Sequence, residues 1–133
     1  MKEIKFSTTK KFQSIDITDR VQHSVLKTCK EGMCLVYAPH ATAAITINEN
    51  YDPKICDDLF EALSTLIPSG KWRHDRIDGN GAAHIKSAII GPSETIPVKD
   101  GKLQLGDWQS VQFLELDGPR KERKVLVSVH QNI

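Results

Sequence analysis

Five histidines stand at positions 23, 40, 74, 84 and 130, and three of them fall where a fold places reactive side chains. His40 directly follows Pro39, at the break between two apolar runs. His74, followed by Asp75, lies in a glycine-rich stretch without periodicity, and His84 comes just after Asn80-Gly81, where regular patterning resumes. Neutral imidazole is the commonest ligand of zinc-class ions. A set of three leaves a fourth position for water or substrate, the catalytic rather than the structural pattern. Thirty-four and ten residues separate these histidines, with no local motif such as H-E-x-x-H to force them together. Spacing alone therefore leaves three unrelated structural histidines as an open alternative. His23 sits off the apolar positions of its segment and His130 opposite Val125, Val127 and Val129, so both read as surface side chains.

A carboxylate beside a metal-bound water can act as general base. Glu49 is the candidate, in the run Asn48-Glu49-Asn50-Tyr51-Asp52 at the end of a strand that starts near His40, whose pleat would bring it into the same pocket. The competing role is solvation of the turn ahead of a helix. Arg120, Lys121, Arg123 and Lys124 form a basic turn that suits a phosphate or, equally, solvent. Glycines 79, 81 and 91 make neither a phosphate loop nor a dinucleotide fingerprint.

The elements that must position these residues follow from patterning. Residues 2–17 read as extended, with Ile4 and Phe6 alternating with charges. Thr18 is a cap for a helix carrying Val21, Val25, Leu26 and Cys29 on one side, with Gly32 as its stop. Strands follow over 33–38 and 42–48. Asp52-Pro53 opens a second helix with Ile55, Leu59, Leu63 and Leu66 on one face, ending at Pro68. Residues 69–81 are irregular, and a short helical or extended piece covers 82–90. Four strands, 95–98, 102–105, 108–116 and 124–130, complete the chain, with Asp100-Gly101 and Asp117-Gly118-Pro119 as turns. The expected class is α+β, mostly antiparallel strands with two main helices, in one domain spanning residues 1–133.

Composition narrows the function. Eighteen Lys+Arg against 17 Asp+Glu give a net charge of +1, which speaks against a nucleic-acid partner. No apolar run approaches the ~20 residues that span a bilayer. Three cysteines, 29, 34 and 56, make no C-x-x-C pair and read as reduced thiols in a soluble, cytoplasmic protein. At 133 residues the chain is too short for a (β/α)₈ barrel, which needs roughly 250.

Several blocks together are specific enough to suggest a family. His40-Ala41-Thr42-Ala43-Ala44-Ile45-Thr46-Ile47-Asn48-Glu49-Asn50, His74-Asp75, and Asn80 followed by Ala83-His84 resemble the YjbQ-like family. So do Ile96-Pro97-Val98, Gly106 with Trp108-Gln109, and Glu115-Leu116-Asp117-Gly118-Pro119-Arg120. Asp107 departs from the small hydroxyl residue usual before Trp108, and the stretch around Asn80 is richer in glycine. The resemblance implies a homotrimer with a divalent metal, zinc foremost, held by His40, His74 and His84. It also implies thiamine-phosphate synthase activity, in which a pyrimidine diphosphate is joined to a thiazole phosphate. Trp108 would stack on a ring and Arg120 would assist the leaving diphosphate, either of them coming from a neighbouring subunit. Val111 and Phe113 are the apolar residues expected on a sheet face that the trimer covers. The alternatives are a metal-dependent hydrolase of a small phosphorylated or heterocyclic compound, with Glu49 as base, and a non-catalytic metal- or ligand-binding module.

Overall fold

The computed structural model describes residues 1–132. Two antiparallel sheets form its frame. The larger has the order β1-β8-β3-β5-β6, built from Lys2–Phe6, Arg123–Gln131, Glu31–Tyr37, Ser93–Lys99 and Lys102–Leu103. The smaller has the order β2-β7-β4, from Gln13–Asp16, Gln109–Glu115 and Ala43–Glu49. Among the described residues three helices, α1 (Thr18–His23), α2 (Lys54–Leu66) and α3 (Gly81–Ile90), and one 3-10 turn at Arg73–Arg76 complete the α+β architecture.

Alternation along the strands separates two cores. Cys34 and Val36 of β3, Ile96 and Val98 of β5, and Val125 and Val127 of β8 face Ile45 of β4 and Val111 and Phe113 of β7. The opposite side of the smaller sheet, through Ala44, Leu114 and Leu116, packs on Ala83 and Ile90 of α3 and Leu59 and Phe60 of α2. β7 is thus buried on both faces. Val111 and Phe113, expected on an exposed sheet face, are fully enclosed instead. The alternation that singled them out shows which residues share a face, not what covers it.

Local chemistry explains the boundaries. Asp52 accepts the Lys54 amide hydrogen at 3.0 Å, so the Asp-Pro start of α2 forms as read. Asp100 (φ 50°) and Gly101 (φ 75°) make the tight turn between β5 and β6, both in the left-handed region. The first helix is shorter than its apolar spacing predicts, ending at His23, and Leu26 is exposed. Gly32 is no helix stop. It lies inside β3, where an added Cβ would press into the His130 carbonyl of the neighbouring strand. Leu66, read as part of the apolar face of α2, points to solvent, and Ile67 is buried in its place. The ambiguous segment 82–90 is a full helix, α3, and it supplies the floor of the site.

Candidate functional site

His84 rises from the first turns of α3, half-buried, and the His74 ring meets it edge-on with centroids 4.7 Å apart. The pair borders a cavity of about 650 Å³ whose wall includes Lys71, Trp72, Arg73 and Ile85. On its other side His84 borders a second cavity, about 440 Å³, together with His40, Tyr37 and Pro92. One imidazole is therefore common to two chambers, with His74 in one and His40 in the other.

Each ring is held from behind. His40 Nε2 lies 3.0 Å from the Lys124 amide nitrogen and 3.1 Å from its carbonyl oxygen. The Lys124 amide hydrogen is donated to Nε2, which places the hydrogen of the neutral ring on Nδ1; ligation through Nδ1 requires the other tautomer, with Nε2 donating to the Lys124 carbonyl instead. Burial, reinforced by the nearby Arg123 charge, holds the His40 pKa below the usual imidazole value and so favours the neutral, ligating form. His74 is placed by its neighbour. Asp75 accepts the Gly81 amide hydrogen at 2.8 Å and that of Trp72 at 3.0 Å, clasping the 3-10 turn to the start of α3. Those two backbone donors hold the Asp75 carboxyl below its ordinary range. Gly81 is required by close approach, because a Cβ there would sit 2.8 Å from Trp72 Cβ and 2.9 Å from Asp75 Oδ1.

A second layer continues from Asn80, whose Nδ2 donates to Asp117 Oδ2 at 3.0 Å. Its Oδ1 is buried without a partner among the described residues, an acceptor that water or a ligand hydroxyl would satisfy. Arg120 donates to the same Asp117 carboxylate at 2.8 Å, so its guanidinium braces this turn and borders neither chamber. Beneath His40 lies a buried ion pair. Arg123 Nε donates to Glu115 Oε1 at 2.9 Å and its Nη2 to Thr42 Oγ1 at 2.9 Å, while Thr8 donates to Glu115 at 2.7 Å.

Glu49 and Trp108 lie elsewhere. β4 starts beside His40 and ends at Glu49, six residues beyond Ala43, which at ~3.3 Å per residue is roughly 20 Å of strand. The extended pleat that was expected to carry Glu49 into the histidine pocket carries it away. Trp108 sits at that far end, 60% exposed, with its ring edge-on to Tyr51 at 4.9 Å in a shallow pocket with Asp16, Asn50 and Asp107. Within a single chain the structure brings together His40, His74 and His84 around two chambers, and it separates Glu49, Trp108 and Arg120 from them.

Comparison with known proteins places this arrangement. The family model for UPF0047 protein YjbQ-like matches residues 2–132. The chain belongs to the YjbQ/UPF0047 family. A UPF0047 protein of Archaeoglobus fulgidus is 43% identical over 93% of this chain and 97% of its own length. UPF0047 protein YugU of Bacillus subtilis is 41% identical over 90% and 92%. Among solved structures, an uncharacterised YjbQ/UPF0047 protein of Clostridium acetobutylicum superposes with a TM-score of 0.92 at 42% identity, covering 98% of this chain and all of that one. A YbjQ-like protein of Sulfolobus solfataricus gives 0.91 at 38% identity, with 96% and 94% covered. The α+β fold described above is thus the YjbQ fold.

For a metal, the donor chemistry of this YjbQ chain fits in part. The His74 and His84 rings meet edge-on with centroids 4.7 Å apart, but no group of three His, Cys, Asp or Glu is gathered tightly enough for an ion among the described residues. His40 is the donor that has to close on the pair. Sequence reasoning missed Lys71, Trp72, Arg73 and the clasp by Asp75. The Lys-Trp-Arg-His run ahead of an aspartate was the available signal, hidden by the lack of periodicity. No helix among the described residues is long and apolar enough to cross a membrane.

Proposed function

We propose that this YjbQ-family chain is a small-molecule enzyme of the metal-assisted kind, with its ion held by His40, His74 and His84. Zinc is the ion best matched to three imidazoles. One observation supports this above others: His84 faces His74 across 4.7 Å in one chamber and shares the adjoining chamber with His40. When bound, the ion supplies Lewis acidity at a site open to solvent. The chain's own residues supply orientation, through the Lys124 backbone behind His40 and the Asp75 clasp behind His74. Arg120 acts as a positioning residue, through Asp117 and Asn80.

Between reaction types, the lining of the chambers favours transfer. Among the described residues no carboxylate lines either one, and Asp78 stands 4.0 Å from His74 Nε2. Departure of a diphosphate needs cations rather than a base. The thiamine-phosphate-synthase type of reaction is therefore better served than hydrolysis. In the hydrolytic reading Glu49 is the base, and it reaches a histidine chamber only from a neighbouring subunit, as does Trp108.

The neighbour we propose is a second copy of the chain, in a homotrimer. Met33, Leu35 and Tyr37 of β3 are 51%, 37% and 40% exposed on the outer face of the larger sheet. Pro97 and His130 pair with Met33, and Leu126 with Tyr37. Charges of both signs, Glu3, Lys5, Glu31 and Lys99, lie at the rim, which suits a copy of the same surface. The accessible surface is 8225 Å², against about 7,000 Å² for a compact monomer of this mass. The number three comes from the family resemblance. Three free thiols suit a reducing, cytoplasmic setting.

Metal analysis of the purified full chain tests the site. Near one zinc per chain is expected in the wild type, and a His40→Ala, His84→Ala double variant is expected to lose it while keeping its circular dichroism spectrum. Full occupancy in that variant would sink the assignment.

A further inference from the structure

The first chamber has a composition the metal does not explain. Its wall carries Lys71 and Arg73 as well as His74 and His84, and among the described residues no acidic side chain lines it. Of the two carboxylates beside it in sequence, Asp75 is committed to the Gly81 and Trp72 amides, and Asp78 stands 4.0 Å from His74 Nε2. The remaining wall is apolar, from Trp72 and Ile85. Trp72 is fixed in place, its Nε1 donating to the Pro68 carbonyl at 2.7 Å, and Lys71 Nζ stands 5.0 Å from the centre of its ring. A flat surface and two permanent cations thus line the same chamber as the histidine pair.

We propose that this chamber takes a phosphorylated small molecule with a planar apolar body, its phosphate held by Lys71 and Arg73 and its body laid against Trp72. Two cations match a dianionic phosphate better than a single carboxylate, and the guanidinium fork can bind two of its oxygens at once. The volume, about 650 Å³, accommodates a molecule of metabolite size. The assignment deepens the enzymatic reading above and rests on it for its meaning, since it names the substrate class the histidines would act on. The binding itself is independent of the metal.

Calorimetric titration of the metal-free full chain with inorganic phosphate and with phenyl phosphate tests it. Phenyl phosphate is expected to bind several-fold tighter than inorganic phosphate, because only it engages Trp72. Arg73→Gln and Lys71→Gln are each expected to weaken both by roughly tenfold, the worth of one charge-assisted contact, whereas Lys54→Gln on α2 leaves them unchanged. Equal affinity in wild type, Arg73→Gln and Lys71→Gln, or no binding of either probe at 10 mM or so, overturns the proposal. Zinc content measured on separately loaded samples keeps the two readings apart. Zinc bound with phosphate affinity indifferent to Lys71 and Arg73 removes the anion chamber alone. Phosphate bound through those two residues in a chain that takes no zinc removes the metal alone.

Discussion

At the scale of single residues, two buried charges decide how this chain responds to substitution and to pH. Glu115 is fully buried and Arg123 nearly so. Burial by itself raises a carboxyl pKa, but the bonds from Arg123 and Thr8 more than offset it, leaving Glu115 below its ordinary value. Its ionisation therefore stabilises the fold above the unfolded-state pKa of about 4.3. That contribution is lost as pH falls through the lower, folded value. Glu115→Gln leaves the Arg123 charge enclosed without its counterion and is expected to cost about 3 kcal/mol or more in urea unfolding at neutral pH, with a flatter acid limb. Lys86 differs. It is 2% exposed, with the Ser64 hydroxyl at 3.2 Å and the Phe12 ring at 4.6 Å as its recorded partners. Such a charge is costly to bury, so Lys86→Met, similar in volume, is expected to raise Tm rather than lower it.

At the scale of elements, the site depends on how a 3-10 turn is tied to a helix. Asp75→Ala removes the acceptor of the Gly81 and Trp72 amides. Hydrogen exchange of the Gly81–Ala83 amides is expected to accelerate while amides of β7 remain protected. Unchanged exchange at Gly81 would show that the clasp does not hold the helix start. Elements with strong local signals were readable from sequence: the Asp52-Pro53 helix start, the Asp100-Gly101 turn and the strands around them are where composition puts them. The third helix was ambiguous because its apolar residues, Ala82, Ala83, Ile85, Ala88, Ile89 and Ile90, have no single period. Its buried face is made partly of Gly81, Lys86 and Ser87, the last donating to the Ala43 carbonyl. The three histidines were legible as loop-edge imidazoles. Their common neighbourhood was not, since it arises from long-range packing of α3 on β4 that no spacing encodes. Glu49 shows the converse: a strand was identified correctly, and its length, not its pleat, decided where its last residue lies.

At the scale of the whole molecule, the larger sheet leaves one broad face open. Leu35→Lys at its centre introduces a charge on the apolar stripe of β3. Sedimentation velocity is expected to show the wild type as a trimer and Leu35→Lys as a monomer with an unchanged far-ultraviolet spectrum. A variant that still sediments as a trimer would place the contact elsewhere. The rim residues Glu31 and Lys99, directly paired across β3 and β5, offer a milder version of the same experiment through salt dependence.

The Glu115–Arg123 pair joins a strand of the smaller sheet to a strand of the larger one, with Thr8 and Thr42 completing its bonds. Neither partner can be exchanged alone without stranding the other, so gradual drift through single steps is closed to this pair. Lineages should pass it on as an inherited unit or replace both members together with an apolar couple of similar volume. A carboxylate opposite leucine, or an arginine opposite glutamine, should be missing from any sampling of its descendants.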